Sequence, residues 1–311
     1  MIPLPHRLLA LLGAVAADEL LGEPPAHLHP VVGMGRVVSA LLPRMPRAPR
    51  AAAFVSGAAL AIALPAGCAI ATEALAALAR DVSFLGLVFE IYVLKSCFAL
   101  RALGQAALRV GADLRRDGGL DDARRGLASL CSRNAADLTA EELAGATIES
   151  VAENLSDSFV APLLAYAAFG LPGAVIYRAV NTLDAMIGYR GEYEYLGKAS
   201  ARLDDLLNLV PARLTAGLLL AAARLGGGDA RRGLAILRRD RGRTASPNAG
   251  WPMAAMAGIL GVELTKREHY RLGDALEPLT AAAIDRAWKI ARTAAALAVA
   301  VTAALLFARS G

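Results

Sequence analysis

Aromatic and charged residues are both scarce in this chain of 311 residues. Phe, Trp and Tyr make up 5% of it and charged residues 20%, whereas 56% of the residues are hydrophobic. The mean hydropathy of +0.45 lies above the range that is usual for soluble domains. Because the apolar residues are mainly Ala, Leu, Val and Ile, the composition suits helices that pack closely in lipid, where small residues let backbones approach.

Other absences narrow the class of protein further. The sequence has no repeated ten-residue alternating segments, which a membrane β-barrel would require. Its three cysteines (Cys68, Cys97 and Cys131) are scattered without metal-ligand spacing, and we interpret them as packing residues. The apolar run from Leu8 to Leu21 contains two acidic residues and no small-residue cleavage site follows it, so we expect no removed signal peptide.

The net charge of +5 is carried mainly by arginine, and the arginines flank apolar stretches. A nucleic-acid-binding protein would instead concentrate basic residues in one stripe or patch. Arginines beside apolar segments are typical of membrane proteins, in which they orient the spans. We therefore predict a lipid bilayer as the surrounding medium and no nucleic-acid partner.

Several apolar stretches reach the roughly 20 residues that a helix needs to cross a bilayer. They predict an all-α, polytopic integral membrane protein, which we interpret as a single membrane-embedded domain over residues 1–311. Residues 101–158 are predicted to form a polar helical insert, with Thr139 and Glu142 as a capping box. Residues 249–262 are too short to cross and are predicted to be buried or re-entrant. The predicted spans lie near residues 51–79, 82–100, 159–180, 207–225 and 290–308.

Five spans place residues 1–50, 101–158 and 226–289 on one side of the membrane. That side holds nearly all the arginines, so the positive-inside rule makes it cytoplasmic. Residues 182–206 then fall outside, although they are rich in polar side chains. We therefore expect this segment to fold back toward the cytoplasmic face, and Pro162, Pro172 and Pro211 are candidate positions for a break in the flanking helices.

One acidic helix face is predicted immediately before an apolar span. Glu149, Glu153 and Asp157 recur every four residues, so they lie on one side of a helix with a drift of about 40° per step. Three like charges in this register repel each other unless positive charge lies against them. A divalent cation or arginines from a neighbouring helix would both satisfy them, and a solvated face is the structural alternative.

A second polar stretch lies between two apolar spans and combines amides, carboxylates and guanidinium groups. We interpret it as a buried polar site, because a plain extramembrane loop would not need paired charges at both membrane boundaries. Glu90 and Lys95 lie within apolar segments at a spacing that is marginal for a direct pair, so we expect their partners on other helices. The residues of the polar stretch include Arg178, Asn181, Asp184, Arg190, Lys198, Arg202, Asp204, Asp205 and Asn208, and Arg213 follows in the next span.

These stretches together resemble the CobD/CbiB membrane proteins, the adenosylcobinamide-phosphate synthases of cobalamin biosynthesis. The matching motifs occur in family order between residue 18 and about residue 274. Two residues depart from the pattern, namely Glu23 in place of Asp and Phe159 in place of a smaller residue. The motifs are residues 22–25 with 29–31 and 35–36, residues 149–158, residues 179–184 with 189–190, residues 199–205 through 211–215, and residues 246–252 with 257–258 and 261.

The resemblance implies an amide ligase that joins adenosylcobyric acid to (R)-1-amino-2-propanol or its O-phosphate, with ATP as a substrate and Mg²⁺ as a cofactor. It implies catalytic roles for Glu149, Glu153, Asp184, Asp204 and Asp205, and Mg²⁺ ligation by Glu149, Glu153 and Asp157. Its implied substrate- or nucleotide-binding residues are His29, Arg36, Asn154, Asn181, Arg190, Lys198, Arg202, Asn248 and Trp251.

The expected location is the inner (cytoplasmic) cell membrane, as a multi-pass protein, and a homo-oligomer is left open. Two non-enzymatic alternatives also fit charges within a membrane. One is a membrane sensor that resembles the AmpE regulators of β-lactamase expression, and the other is a carrier of a corrinoid or an amine. The two acidic motifs, at Asp184 and at Asp204 with Asp205, favour the ligase.

Overall fold

The computed structural model describes residues 4–80, 83–189 and 191–309, and this part of the chain is mainly helical. The prediction of an all-α protein is confirmed. A short antiparallel hairpin, β1 (Glu263–Lys266) and β2 (Tyr270–Gly273), was not predicted, because strands of four residues are too short to show an alternating pattern. The helices are α1 (Leu4–Leu21), α2 (Pro30–Leu41), α3 (Arg50–Arg80), α4 (Ser83–Ser96), α5 (Leu100–Arg115), α6 (Leu120–Leu127), α7 (Ala140–Leu155), α8 (Ala161–Ile187), α9 (Lys198–Leu207), α10 (Leu209–Gly226), α11 (Ala230–Asp240), α12 (Gly250–Leu260) and α13 (Ala281–Ala308).

The chain divides into two compact units. The first unit comprises residues 1–99, 161–208 and 301–311, and the second comprises residues 100–160 and 209–300. Each unit is therefore assembled from segments that are distant in the sequence. The prediction of one membrane-embedded domain stays a prediction.

Four helical segments of the described chain are long and apolar enough to cross a membrane. They are residues 50–79, 140–187, 209–226 and 281–308. The predicted span at 82–100 is not among them, because α4 has 14 residues and a length of about 21 Å, below the roughly 30 Å of a bilayer core. The apolar stretch at 249–262 forms α12, whose 11 residues are nearly all buried, as predicted.

Helix α8 follows α7 through a π-helical turn at Ser156–Val160, and it contains a break of its own. Gly170 has a φ of +71°, a conformation that glycine adopts without steric cost. Pro172 has no backbone N–H and so cannot donate a helical hydrogen bond. The Arg309 guanidinium donates hydrogen bonds to the carbonyl oxygens of Ala167 and Ala168. Of the three prolines proposed to break helices, Pro172 is the one that lies beside a non-helical residue, Gly170.

In the first unit, the residues just before α3 contact the segment between α8 and α9. Arg47 forms an ion pair with Glu192, and its guanidinium lies 4.5 Å from the ring centroid of Tyr193. A Cβ atom on Gly57 would lie 1.8 Å from the Leu196 carbonyl oxygen, so the backbones touch. The structure therefore places Glu192, Tyr193 and Leu196 against residues 47–57. The five-span topology and the fold-back of residues 182–206 toward the cytoplasmic face stay predictions.

Charged groups within apolar helices of the first unit have partners on other helices, as predicted. Glu90 accepts a hydrogen bond of 2.6 Å from the Tyr166 hydroxyl and lies 2.8 Å from Nε2 of His6. Lys95 lies 2.8 Å from a carboxylate oxygen of Glu23 and 3.4 Å from one of Asp18. Buried charges require such partners because an isolated ion in a low-dielectric medium is very costly.

The second unit packs α10, α11 and α12 around small residues. A Cβ atom on Gly258 would lie 2.8 Å from the Cα atom of Gly233, so α11 and α12 approach closely, as the small-residue composition predicts. The carboxylate of Asp240 at the end of α11 accepts a 2.8 Å hydrogen bond from the Gly273 amide. This bond fixes the hairpin against α11. The predicted capping box of Thr139 and Glu142 at the start of α7 is also present.

Candidate active site

A hydrogen-bonded network in the first unit joins the end of α8 to α9. The Arg178 guanidinium donates to the Asn181 side-chain oxygen at 3.1 Å, and the Asn181 amide donates to Asp204 Oδ1 at 3.3 Å. The Asn208 amide donates to Asp204 Oδ2 at 2.9 Å, and the Tyr177 hydroxyl donates to the Asn208 oxygen at 2.8 Å. Both oxygens of Asp204 are thus oriented by neutral amides.

The turn between α8 and α9 makes this network possible. It returns the chain to the end of α8, since a Cβ atom on Gly197 would lie 1.7 Å from the Ile187 carbonyl oxygen. Only glycine fits at that distance. The close approach brings Asn181 within hydrogen-bonding distance of Asp204, although they are 23 residues apart in the sequence.

Asp204 has an unusual electrostatic environment. Burial raises the pKa of its carboxyl group, the hydrogen bonds from Asn181 and Asn208 oppose this rise, and the neighbouring Asp205 adds to it. No Lys, Arg or His of residues 4–80, 83–189 and 191–309 forms a salt bridge with Asp204. A half-buried carboxylate without a salt bridge has the chemistry needed to bind a cation or accept a proton.

The other predicted residues of this region are arranged around the network. Asp184 lies in α8 and Asp205 in α9, and both are half-buried. Lys198 and Arg202 are exposed on α9, and the Lys198 ammonium lies 5.9 Å from the ring centroid of Tyr195. Arg190 lies outside the described residues. The structure therefore joins Asn181 to Asp204 directly and leaves the two predicted cations of α9 at the surface.

The predicted N-terminal residues have structural partners. His29 caps α2, since its Nδ1 accepts a 3.2 Å hydrogen bond from the Val31 amide, and its Nε2 lies 2.9 Å from Glu23. Burial opposes ionisation of Glu23, but its hydrogen bonds with His29 and Lys95 outweigh this effect and lower the pKa. Arg36 lies on an exposed face of α2. Substrate binding by His29 and Arg36 stays a prediction.

The predicted acidic face lies in the second unit. Glu149 in α7 is 3% exposed, and its Oε2 lies 2.5 Å from an Arg133 nitrogen. The positive charge against Glu149 is thus an arginine, as one of the two predicted alternatives had it, but it comes from the irregular segment before α7 and not from a neighbouring helix. Glu149 Oε1 is buried and has no hydrogen-bond partner in the described chain. Glu153 follows one turn later and acts electrostatically on Glu149.

The acidic face does not continue regularly to its third member. Asp157 lies in the π-helical turn, whose wider winding changes the four-residue register. Asn154, just before this turn, donates a 2.9 Å hydrogen bond to the Ser150 carbonyl oxygen. Within the described ranges, no group of three or more His, Cys, Asp or Glu side chains is arranged to hold a metal ion. Magnesium ligation by Glu149, Glu153 and Asp157 stays a prediction.

A further polar cluster of the second unit contains Asn248 and Trp251. Asn248 is 4% exposed, and its side-chain oxygen accepts a 3.1 Å hydrogen bond from Arg213. The guanidinium carbons of Arg213 and Arg241 lie 4.5 Å and 5.1 Å from the ring centroid of Trp251. Both predicted binding residues are therefore in one cluster with two cations.

The family model described as CobD/Cbib protein matches residues 11–300 of this chain. The chain belongs to the CobD/CbiB family. It is 41% identical over 273 residues to the cobalamin biosynthesis protein CobD of Dehalococcoides mccartyi (strain CBDB1), a match that covers 88% of each chain. It is 42% identical to the probable cobalamin biosynthesis protein CobD of Methanothermobacter thermautotrophicus, over 86% of this chain and 88% of that one. No solved structure matches the chain.

Sequence reasoning did not assign roles to three residues of this CobD/CbiB protein that lie beside predicted polar residues, namely Arg133 and Tyr270 in the second unit and Tyr177 in the first. Arg133 lies in an irregular segment, and only the need for a cation near Glu149 indicated a residue of its type. Tyr270 lies on the unpredicted hairpin, where burial and then the charge of Glu149 raise the pKa of its hydroxyl. Tyr177 lies in an apolar stretch, where the sequence did not indicate that its hydroxyl donates a hydrogen bond to Asn208.

Proposed function

We propose that this protein acts in cobalamin biosynthesis as an ATP-dependent amide ligase. The reaction joins adenosylcobyric acid to (R)-1-amino-2-propanol or its O-phosphate and gives adenosylcobinamide or its phosphate. The family assignment supports the pathway, since the curated relatives are cobalamin biosynthesis proteins. The observation that carries the chemistry is the Asp204 carboxylate, which is half-buried, oriented by two amides and outside any salt bridge of the described chain.

The reaction has two covalent steps. A carboxylate oxygen of the corrinoid attacks the γ-phosphorus of ATP, and the bond to ADP breaks, which leaves an acyl phosphate. The ammonium of the second substrate loses a proton, and its nitrogen then attacks the acyl carbon. The bond from carbon to the phosphate oxygen breaks, and the phosphate leaves with the second nitrogen proton. The protein must therefore hold an ammonium near a proton acceptor.

Asp204 suits that acceptor role. Its negative charge attracts an ammonium, and a pKa raised by burial makes it a better base than an ordinary carboxylate. The amides of Asn181 and Asn208 hold both carboxylate oxygens in place. Arg178, at the other end of the Asn181 side chain, supplies positive charge for developing negative charge on the acyl oxygen.

The carboxylate oxygens of Glu149 and Glu153 are of the kind that magnesium takes as ligands. Magnesium takes one or two protein carboxylates together with phosphate oxygens, and Glu149 Oε1 is a buried oxygen without a hydrogen-bond donor in the described ranges. When bound, the ion would neutralise charge on the phosphates during transfer. Arg133 holds the second oxygen of Glu149 and so fixes the orientation of the carboxylate.

We further propose a multi-pass location in the cytoplasmic membrane, with residues 182–206 facing the cytoplasm, where ATP is present. The four apolar helical segments support the membrane location. The contact of Arg47 with Glu192 supports placing residues 182–206 on the same side as the arginine-rich residues 43–50.

The test is a reaction of purified protein in detergent with adenosylcobyric acid, ATP, Mg²⁺ and each amine in turn. We expect the matching cobinamide product and one ADP per amide formed, both measured by chromatography with mass detection. Asp204→Asn should lower turnover about a hundredfold or more, whereas Asp121→Asn, an exposed control, should not. Folded wild-type protein that makes no product with either amine would refute the ligase.

A further inference from the structure

Two guanidinium groups meet at one indole ring in the second unit. The guanidinium carbon of Arg213 lies 4.5 Å from the Trp251 ring centroid, and that of Arg241 lies 5.1 Å from it. Both distances are within the roughly 6 Å of a cation–π interaction. Arg213 comes from α10, Arg241 follows α11 and Trp251 lies in the first turn of α12. Three elements therefore converge to place two cations beside one ring.

The cluster is held in a fixed geometry. Arg213 donates a 2.8 Å hydrogen bond to the Leu209 carbonyl oxygen and a 3.1 Å bond to the buried Asn248 side chain. A Cβ atom on Gly250 would lie 2.2 Å from the Arg241 carbonyl oxygen, so the start of α12 touches the backbone that carries Arg241. Arg241 is exposed and Trp251 is half-buried, so a solute can reach them.

The positive charge of the cluster is not compensated locally. Among the residues that the structure describes, neither Arg213 nor Arg241 forms a salt bridge, whereas nearby Arg239 and Arg243 both pair with Asp240. The positive end of the α12 dipole adds to this charge, and the side chain of Ala249 cannot cap that helix. Two like charges beside one ring repel each other unless an anion lies between or across them.

We propose that Arg213, Arg241 and Trp251 form a binding site for a phosphate group. Guanidinium forks match the oxygens of a phosphate and donate two parallel hydrogen bonds. The phosphate could belong to a nucleoside triphosphate or to a phosphorylated amine. This proposal deepens the proposed function, which supplies these two candidates, but binding of the anion can be measured without any reaction.

Trp251 itself reports the binding. The chain has two tryptophans, and Trp288→Phe leaves Trp251 as the single indole. Purified Trp288→Phe protein in detergent is titrated with ATP, with (R)-1-amino-2-propanol O-phosphate and with inorganic phosphate at constant ionic strength. Tryptophan fluorescence and titration calorimetry are recorded for each. We expect a saturable response to at least one of these compounds, and the compound that binds more tightly identifies the source of the phosphate.

Substitutions in the same background test the assignment. Arg241→Gln and Arg213→Gln should each weaken binding about tenfold or more, since each removes charged hydrogen bonds. Arg224→Gln, on an exposed position of α10, should leave the affinity unchanged. Arg213 is half-buried and bonded to the buried Asn248, whereas Arg241 is exposed and donates a hydrogen bond to the Arg238 carbonyl oxygen in its own turn. Arg241→Gln is therefore the variant that is expected to fold normally.

Either of two results would overturn the site. One is the absence of fluorescence change and calorimetric heat with all three phosphate compounds. The other is equal affinity in the Arg241→Gln and Arg224→Gln proteins. Binding that depends on Arg241 in a protein without ligase activity would retain the phosphate site and refute the proposed function alone. Ligase activity that Arg241→Gln leaves intact, with unchanged KM for ATP and amine, would refute the phosphate site and retain the proposed function.

Discussion

Lys95 lies at the end of α4 with 3% of its surface exposed, and its ammonium holds two carboxylates together. It is 2.8 Å from Glu23 and 3.4 Å from Asp18, and Asp18 is 1% exposed. Lys95→Met keeps most of the side-chain volume and removes the charge, so the buried Asp18 carboxylate loses this cation. Removing one partner of a buried ion pair costs about 3–5 kcal/mol of unfolding free energy. We expect a loss in that range.

The contribution of each partner can be separated by a double-mutant cycle. Asp18→Asn should cost less, about 1.5–3 kcal/mol, because Lys95 retains Glu23. The double variant should cost less than the sum of the single ones, with a coupling of about 0.5–3 kcal/mol.

The assay is unfolding in mixed micelles of dodecyl maltoside and sodium dodecyl sulfate, followed by circular dichroism. Lys266→Met, at an exposed position of β1, controls for the loss of a lysine charge. If Lys95→Met changes the unfolding free energy by no more than the Lys266→Met control, the pair does not stabilise the first unit and the reasoning fails.

Three other predictions concern Asp204, Asp240 and the arrangement of the first unit. Because burial raises the pKa of Asp204, its ionisation opposes folding, so stability should fall as pH rises through that pKa, and Asp204→Asn should remove this fall in unfolding measurements. Burial also disfavours ionised Asp240, but hydrogen bonds from Arg239 and a backbone amide outweigh it and lower the pKa. This stabilisation should be present above about pH 4 and vanish in acid, where wild type and Asp240→Asn should converge. Glu194→Cys and Ser39→Cys, each in a background without native cysteines, should react with an impermeant thiol reagent from the same side of the membrane, and labelling from opposite sides would contradict the arrangement of the first unit.

The sequence predicted a helical membrane protein because composition and the length of apolar stretches do not depend on which residues meet in the tertiary structure. The capping box at α7 was predicted for the same reason, since Thr139 and Glu142 are close in the sequence. The span at 82–100 stays a prediction, and the helix in that region is shorter than the apolar stretch because apolar content alone does not show where a helix ends. The hairpin at residues 263–273 was missed, because two strands of four residues carry little periodicity.

The sequence by itself determined which residue types were available and which of them share a helix face, such as Glu149 and Glu153. It also indicated that Glu90 and Lys95 need partners on other helices, because a charge in an apolar segment is costly alone. Only the tertiary structure decided which groups meet. Asp204 contacts Asn181 because the turn before α9 reverses the chain, and Arg213 contacts Trp251 because three elements converge at the start of α12. Such pairings depend on how closely the backbones of distant segments approach, which glycines and other small residues allow. This geometry results from tertiary packing and cannot be inferred from the spacing of residues along the sequence.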